Sequence, residues 1–304
     1  MLSIILSSCV RISLPLIFAA LGAMYCERVS IINIGIEGIM LLGACFGVLG
    51  SYISGSAFVG LLFAIGAGAI IGLIHGVLTA GFKTNHIVVG VAINLFGAGF
   101  TTLMLVLVWG NKGKSVEVAG LGLIKLYPFC LIPGVKDVIG TVSPLFVLMI
   151  IVIILSYFFI FKTPWGLRIR VIGDNPNVAD TMGINVIKTQ IGMVVLGSIL
   201  ASIGGACLTI GDLNYFTRDM VAGRGFIALA AMVFGRWNPI LLLFTSLFFG
   251  FMQALQIQLQ GFGIPVQFIQ MIPYLLTIIT LIFSSKGFQG PAFDGKHFYR
   301  GASH

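Results

Sequence analysis

Charge is what this chain has least of. Only 9% of its 304 residues are Asp, Glu, Lys or Arg, while 58% are hydrophobic; an average soluble domain carries about 25% charged residues. A soluble fold of this size has too little interior to cover so many apolar groups. The scarcity of charge therefore excludes a soluble enzyme and predicts a polytopic membrane protein, with room for about eight to ten spans of roughly 20 residues. Cysteine is also sparse. Cys9, Cys26, Cys45, Cys130 and Cys207 are odd in number, scattered and free of any C-x-x-C pair, which argues against a disulfide framework and a metal site. Four of them lie in apolar runs, where a free thiol behaves as a small hydrophobe. Catalytic signatures are missing. Gly113-Lys114-Ser115 resembles the end of a phosphate loop, but position 108, where that loop needs glycine, is Val108. No H-E-x-x-H and no G-x-S-x-G occurs either, so the chain reads as a non-enzyme without a cofactor. Nor is there a basic region ahead of the first apolar residues, as a cleaved signal peptide would have.

What the chain does have is long apolar runs, at about 12–26, 31–53, 57–82, 87–109, 144–161, 189–211, 223–235, 240–259 and 266–284. They show no period-2 alternation and are too long for barrel strands. Helices are thus the expected form, since backbone groups in lipid must be satisfied internally. The expected fold is all-α, one transmembrane domain over residues 1–304, in which the run at 223–235 is too short for a full crossing and reads as a half-helix or re-entrant segment. Polar stretches mark an extracytoplasmic loop at about 111–143, a cytoplasmic loop at about 162–188 and a basic tail at about 286–304. The 17 Lys and Arg outnumber 9 Asp and Glu, but no basic stripe interleaves with aromatics. The excess is therefore assigned to membrane topology, and no nucleic-acid partner is expected. Arg28, Lys83, Lys162, Arg168, Arg170, Lys188, Arg236, Lys286, Lys296 and Arg300 fall on one side. Arg11, Lys112, Lys114, Lys125, Lys136, Arg218 and Arg224 fall on the other. The larger set is placed in the cytoplasm. Small-residue ridges at Gly43/Gly47, Gly68/Gly72/Gly76 and Gly197/Ala201/Gly205 predict close helix packing.

Polar groups inside apolar runs are costly enough to need a reason. A carboxylate near mid-bilayer costs on the order of 3 kcal/mol. Glu37, in "IINIGIEGIMLL", is four residues from Asn33, a spacing that puts both on one helix face. Glu37 is read either as lining a polar path or as pairing structurally with another helix. Asn94 needs a hydrogen-bond partner and suits interhelical bonding; a lone His75 suits packing. Gln253, Gln256 and Gln260 share a helical face that would wet a path for a polar solute. In the loop at 162–188, Asp174-Asn175-Pro176 reads as a turn and cap ahead of a short helix to about Met182, stopped by Gly183. With Arg168, Arg170 and Lys188 beside it, this helix reads as a docking element. Arg236-Trp237 is expected at a membrane interface.

The strings "ERVSIINIGIEGIMLLGA", "GDNPNVADTMGINV", "AGRGFIALAAMVFGRWNP" and "IPYLLTIITLIF" occur in that order. Together they resemble the permease subunits of ABC importers in the ribose and branched-chain amino acid permease superfamily. The resemblance is strongest to the nucleoside-uptake permeases often labelled simple-sugar permeases. It covers about residues 11–285, and the loop at 111–143 adds nothing to it. It implies a multi-pass protein of the bacterial cytoplasmic membrane, in contact with lipid. Its partners would be a second homologous permease, cytoplasmic ABC ATPase subunits and an extracytoplasmic substrate-binding (lipo)protein. The loop carrying Asp174, Asn175, Pro176, Asn177, Ala179, Asp180 and Gly183 would be the coupling helix that meets the ATPase. Asn33, Glu37, Asn94, Gln253, Gln256 and Gln260 are the candidates for the translocation path of a nucleoside or related small sugar. Two other readings stay open: an ion-gradient-driven secondary transporter with Glu37 as proton site, and a scaffold subunit with no path.

Overall fold

The computed structural model describes residues 2–125, 140–259, 271 and 290–299. Helices dominate: α1 Leu2–Glu27, α2 Ile36–Ser54, α3 Ala57–Gly76, α4 His86–Trp109, α5 Pro144–Lys162, α6 Pro164–Asp174, α7 Pro176–Thr181, α8 Val186–Leu208, α9 Arg224–Phe234 and α10 Pro239–Leu259. Two-residue strands β1 Ile124–Lys125 and β2 Thr141–Val142 pair antiparallel. Seven helices among the described residues are long and apolar enough to cross a membrane, and α9 is the short one. This is the expected polytopic all-α protein. The run at 266–284 and Gln260 lie outside the described residues.

Buried α1, α2 and α8 form the centre, while α4 and α5 expose most of their surface. Glycine lets the central helices touch backbone to backbone. A Cβ on Gly22 or on Gly197 would collide with the other's carbonyl oxygen. The ridge on α3 meets α8: a Cβ on Gly72 would lie 2.7 Å from Ser198 Cβ, and one on Gly68 2.6 Å from Ser202 Cβ. Hydroxyls seal the same seams, with Ser202 Oγ donating to Ala64 O at 2.6 Å and Thr209 Oγ1 to Ala44 O at 3.2 Å. Dense packing and such bonds replace the hydrophobic drive that lipid does not supply. Both α3 and α8 end in a π turn, at Val77–Gly81 and Thr209–Leu213.

Loops gather at two ends. At one, Gln190 Nε2 donates to Val29 O at 3.0 Å and Ser30 Oγ to Ile172 O at 3.1 Å. At the other, the chain after α4 runs alongside the chain after α8, joined by Val118 N to Asn214 O at 2.8 Å and Ser115 N to Phe216 O at 2.9 Å. Two of the basic residues assigned to loops sit elsewhere. Arg11 sits within α1 and pairs with Asp212 at 3.5 Å. Arg224 is not a loop residue but the first residue of α9.

The 162–188 stretch holds two helices rather than one. The expected short helix is α7, and α6 precedes it. Thr163 Oγ1 accepts from Gly166 N at 3.1 Å and Pro164 takes the first helical position, so α6 has a proper start. Asn175 then ends α6 and caps α7, accepting from Asn177 N at 3.1 Å and Val178 N at 3.3 Å.

Candidate functional site: a broken helix held by Glu37

The chain does not turn directly from α1 into α2. Residues 31–35 run as non-helical backbone into the bundle, and α2 starts only at Ile36. Asn33 therefore precedes the helix, and the expected shared face with Glu37 does not exist. Asn33 is fully buried, its Nδ2 3.5 Å from Cys26 Sγ, and its Oδ1 has no partner among the described residues. Gly35 just before α2, Gly38 in its first turn, and Gly90 and Gly97 in α4 explain why the path is this close. A Cβ on Gly38 would lie 2.6 Å from Ile93 O, and one on Gly90 2.9 Å from Gly35 N. Asn94 spans the seam: its Oδ1 accepts from Gly38 N at 2.7 Å and its Nδ2 donates to Ile34 O at 3.0 Å. Both its polar atoms thus satisfy the backbone exposed by starting a helix inside the membrane.

Glu37 does the same for a second broken helix. The chain between α8 and α9 passes through left-handed residues Asn214, Asp219, Ala222 and Gly223 and then begins α9. Glu37 Oε1 accepts from Gly223 N and Oε2 from Gly225 N, both at 2.7 Å. A carboxylate here offsets the positive end of the helix dipole and takes up amides that have no partner within the helix. Ser54 ends α2 seventeen residues on, so the junction stands at the opposite end of α2, ~26 Å along the helix at 1.5 Å per residue. Gly225 is required by proximity: its Cβ would lie 2.7 Å from Glu37 Cα and N. Arg224 Nη1 donates to Met220 O at 2.9 Å, folding the connection over the junction.

The far end of α9 is held by an acid that sequence reasoning passed over. Trp237, expected at a membrane interface, is only 7% exposed. Its Nε1 donates to Glu27 Oε2 at 2.7 Å, and its carbonyl accepts from Arg28 Nη2 at 2.6 Å. Arg236 and Trp237 are both left-handed, with φ near 51° and 53°, a conformation that side chains other than glycine adopt only when surroundings hold it. The Glu-Arg pair at the end of the first apolar run was the available signal. Burial beside Arg170, partly offset by Asp174, lowers the Arg28 pKa.

The other predicted residues are not brought to this junction. Gln253 and Gln256 are half-buried on α10, which packs chiefly on α1. In the docking loop, Asp174, Asn175 and Gly183 are exposed, Asn177 and Asp180 half-buried, and Pro176 and Ala179 buried. The apolar groove of about 820 Å³ between α2, α3 and α4, walled by Leu42, Ile70, Ile74, Ile93 and Phe96, offers no polar side chain. It suits lipid contact better than recognition of a polar solute.

Seven helices apolar and long enough to span a membrane, with a short helix and an irregular link clamped by buried polar groups, fit a membrane transport protein. This chain belongs to the family described as the branched-chain amino acid transport system / permease component, whose profile matches residues 5–281. It is 39% identical to the guanosine ABC transporter permease protein NupQ of Bacillus subtilis, over 96% of this chain and 93% of that one. It is 36% identical to the nucleoside ABC transporter permease protein NupC of Lactococcus lactis, over 98% of both, and 25% identical to NupB of the same strain, over 85% of this chain and 74% of the relative. No solved structure matches.

Proposed function

We propose that this chain is one half of the translocation path of an ATP-driven importer for nucleosides, in a bacterial cytoplasmic membrane. The observation that carries this is end-to-end similarity, at 36–39% identity, to two permeases named for nucleosides. The weaker match to NupB, a second nucleoside permease of the Lactococcus strain that holds NupC, supports pairing with a related but distinct permease. The loop at the Arg28 end supplies the ATPase dock. Val178 and Met182 are 46% and 70% exposed, beside exposed Asp174 and Asn175, while buried Ala179 roots α7 in the protein. An apolar knob with a polar rim suits a protein groove. ATP binding to the partner would push on α6 and α7, and an external binding protein would deliver cargo, so the permease itself needs little affinity. The amide groups on α10 and the surface around the α9 junction would wet the path. The backbone clamp gives Glu37 a structural role that the ion-gradient reading does not need, since each of its oxygens already accepts from an amide.

The test is uptake of labelled guanosine by cells expressing the chain with its neighbouring permease, ATPase and binding protein. Uptake is expected to vanish when the ATPase Walker lysine is replaced and to persist with an uncoupler while ATP is maintained. Collapse under the uncoupler with ATP held constant would overturn the proposal in favour of a secondary transporter.

A further inference from the structure

Residues 290–299 cross the Arg28 end as a strap and contact the turn after α9, the end of α6 and the α1–α2 link. At its start, a Cβ on Gly290 would lie 2.7 Å from the Trp237 ring, so the strap lies flat on the turn that ends α9. Phe293 N then donates to Gly173 O at 3.0 Å, at the end of α6. Gly295, with φ 73°, turns the strap and donates its N–H to Ser30 O at 3.1 Å, on the link between α1 and α2. His297 stands edge-on to His86 at the start of α4, ring centres 4.8 Å apart. Phe298, 7% exposed, enters a cluster with Val29, Ile169, Ile172, Ala179 and Val186. Tyr299 lies under Lys83, whose Nζ lies 3.9 Å from the ring centre.

Two features of this arrangement are unequal. The docking helix α7 is short and has few contacts with the bundle of its own; its buried residue Ala179 packs into the cluster that Phe298 completes. The half-helix α9 is gripped at Trp237, beneath Gly290. The strap is a length of chain that contacts both, with backbone bonds to the α6 end and to the α1–α2 link between them. An element with side chains inserted at one end and backbone pinned along its course transmits displacement better than a surface tail.

We propose that the 290–299 strap couples α7 to α9, with Phe298 as the positioning residue that makes α6, α7 and the strap move as one body. This rests on the reading that an ATPase docks on α6 and α7. The strap touches neither cargo nor nucleotide. It sets how much of the ATPase stroke reaches the broken helix.

The experiment uses the whole importer, purified and reconstituted in vesicles, with three readouts: retention of the ATPase subunit, ATP hydrolysed, and labelled guanosine moved. Phe298→Ala empties the cluster, and Gly290→Val lifts the opposite end of the strap off Trp237. Each is expected to keep the ATPase bound and hydrolysis within about twofold of the parent, while guanosine moved per ATP falls at least about fivefold. Phe298→Leu, which refills the cluster, is expected to restore the ratio to within about twofold. If transport and hydrolysis fall in step, if neither variant changes the ratio, or if both lose the ATPase, the strap is a brace and the proposal is overturned. A parent complex that never retains an ATPase would instead overturn the docking reading beneath it, and the strap proposal with it.

Discussion

Glu37 and Glu27 stand ten residues apart, on either side of the non-helical link between α1 and α2, and hold opposite ends of the same half-helix. Glu37 takes the backbone amides of Gly223 and Gly225 at the start of α9. Glu27 takes the indole of Trp237 just past its end. The first is a backbone clamp, indifferent to which side chains lie opposite but intolerant of any Cβ at Gly225. The second is a side-chain clamp that depends on one indole and on two strained residues being kept in place. A helix that ends inside a membrane must have its orphan amides and carbonyls answered. Here one short segment of chain answers at both ends, which makes the α1–α2 link the fixed frame against which α9 is set.

The difference between the clamps is open to a direct break. Glu37→Ala leaves two buried amides without acceptors, at about 1–3 kcal/mol each. The expected result is the largest effect of any single change here: a markedly lower melting temperature of the purified complex and loss of guanosine uptake. Glu37→Gln, with one carbonyl oxygen to accept and an NH₂ facing the second donor, is expected to fall between alanine and the parent. Had Glu37 acted on cargo alone, uptake would drop while the melting temperature stayed put. Gly225→Ala tests the same clamp from the other side. The added methyl meets backbone rather than a flexible side chain, and overpacking of that kind costs about 1–3 kcal/mol; melting of the detergent-solubilised complex reads it.

The Glu27 clamp is expected to be softer. Trp237→Phe keeps the ring in its buried slot but removes the donor to Glu27, with a loss of about 1–3 kcal/mol. Glu27→Gln keeps an acceptor for that donor and should cost less, under about 1 kcal/mol. If the two substitutions instead matched Glu37→Ala in melting temperature, the two ends of α9 would be held alike and the contrast would fail.

The transmembrane plan was legible because hydrocarbon has few solutions for a backbone. The long apolar runs could only be helices, and the short run at 223–235 could only be a partial one, as α9 is. Asn175-Pro176 and Gly183 marked α7 through cap chemistry that acts locally. Thr163-Pro164 carried the same kind of signal for α6 and was hidden only by the charged residues that follow it. What sequence could not reveal was pairing at a distance. Glu37 stood out by its cost, yet its partners are amides 186 and 188 positions away, and an amide has no letter of its own. Asn33 seemed to share a face with Glu37 because the break before Ile36 depends on α4 standing against Gly35 and Gly38. Glu27 was masked by Arg28, since a Glu-Arg pair at the end of an apolar run reads as ordinary loop charge.

The smallest expected effect sharpens the contrast through pH. Asp294 lies on the strap, half-buried. Burial is the main reason its carboxyl is pushed from 3.8 up to about 6, with the Gly295 amide pulling the other way. A carboxyl whose pKa is raised by docking binds its proton more tightly in the docked strap than in the free one. Docking is therefore firmest below about pH 4, weakens as pH rises from there to about 6, and carries the whole penalty above. Asp294→Asn keeps the shape and removes that penalty, so its strap should be more firmly seated at pH 7 and lose this part of the pH response. Lys296 offers the readout: limited trypsin cleavage after it should be slower in the variant than in the parent at pH 7, and the two should converge toward pH 5. Taking the ratio of variant to parent cancels the protease's own pH profile and the shared contributions of His86, His297, Lys83 and Arg28. A ratio that stayed flat would mean that docking of the strap does not bury the Asp294 carboxyl.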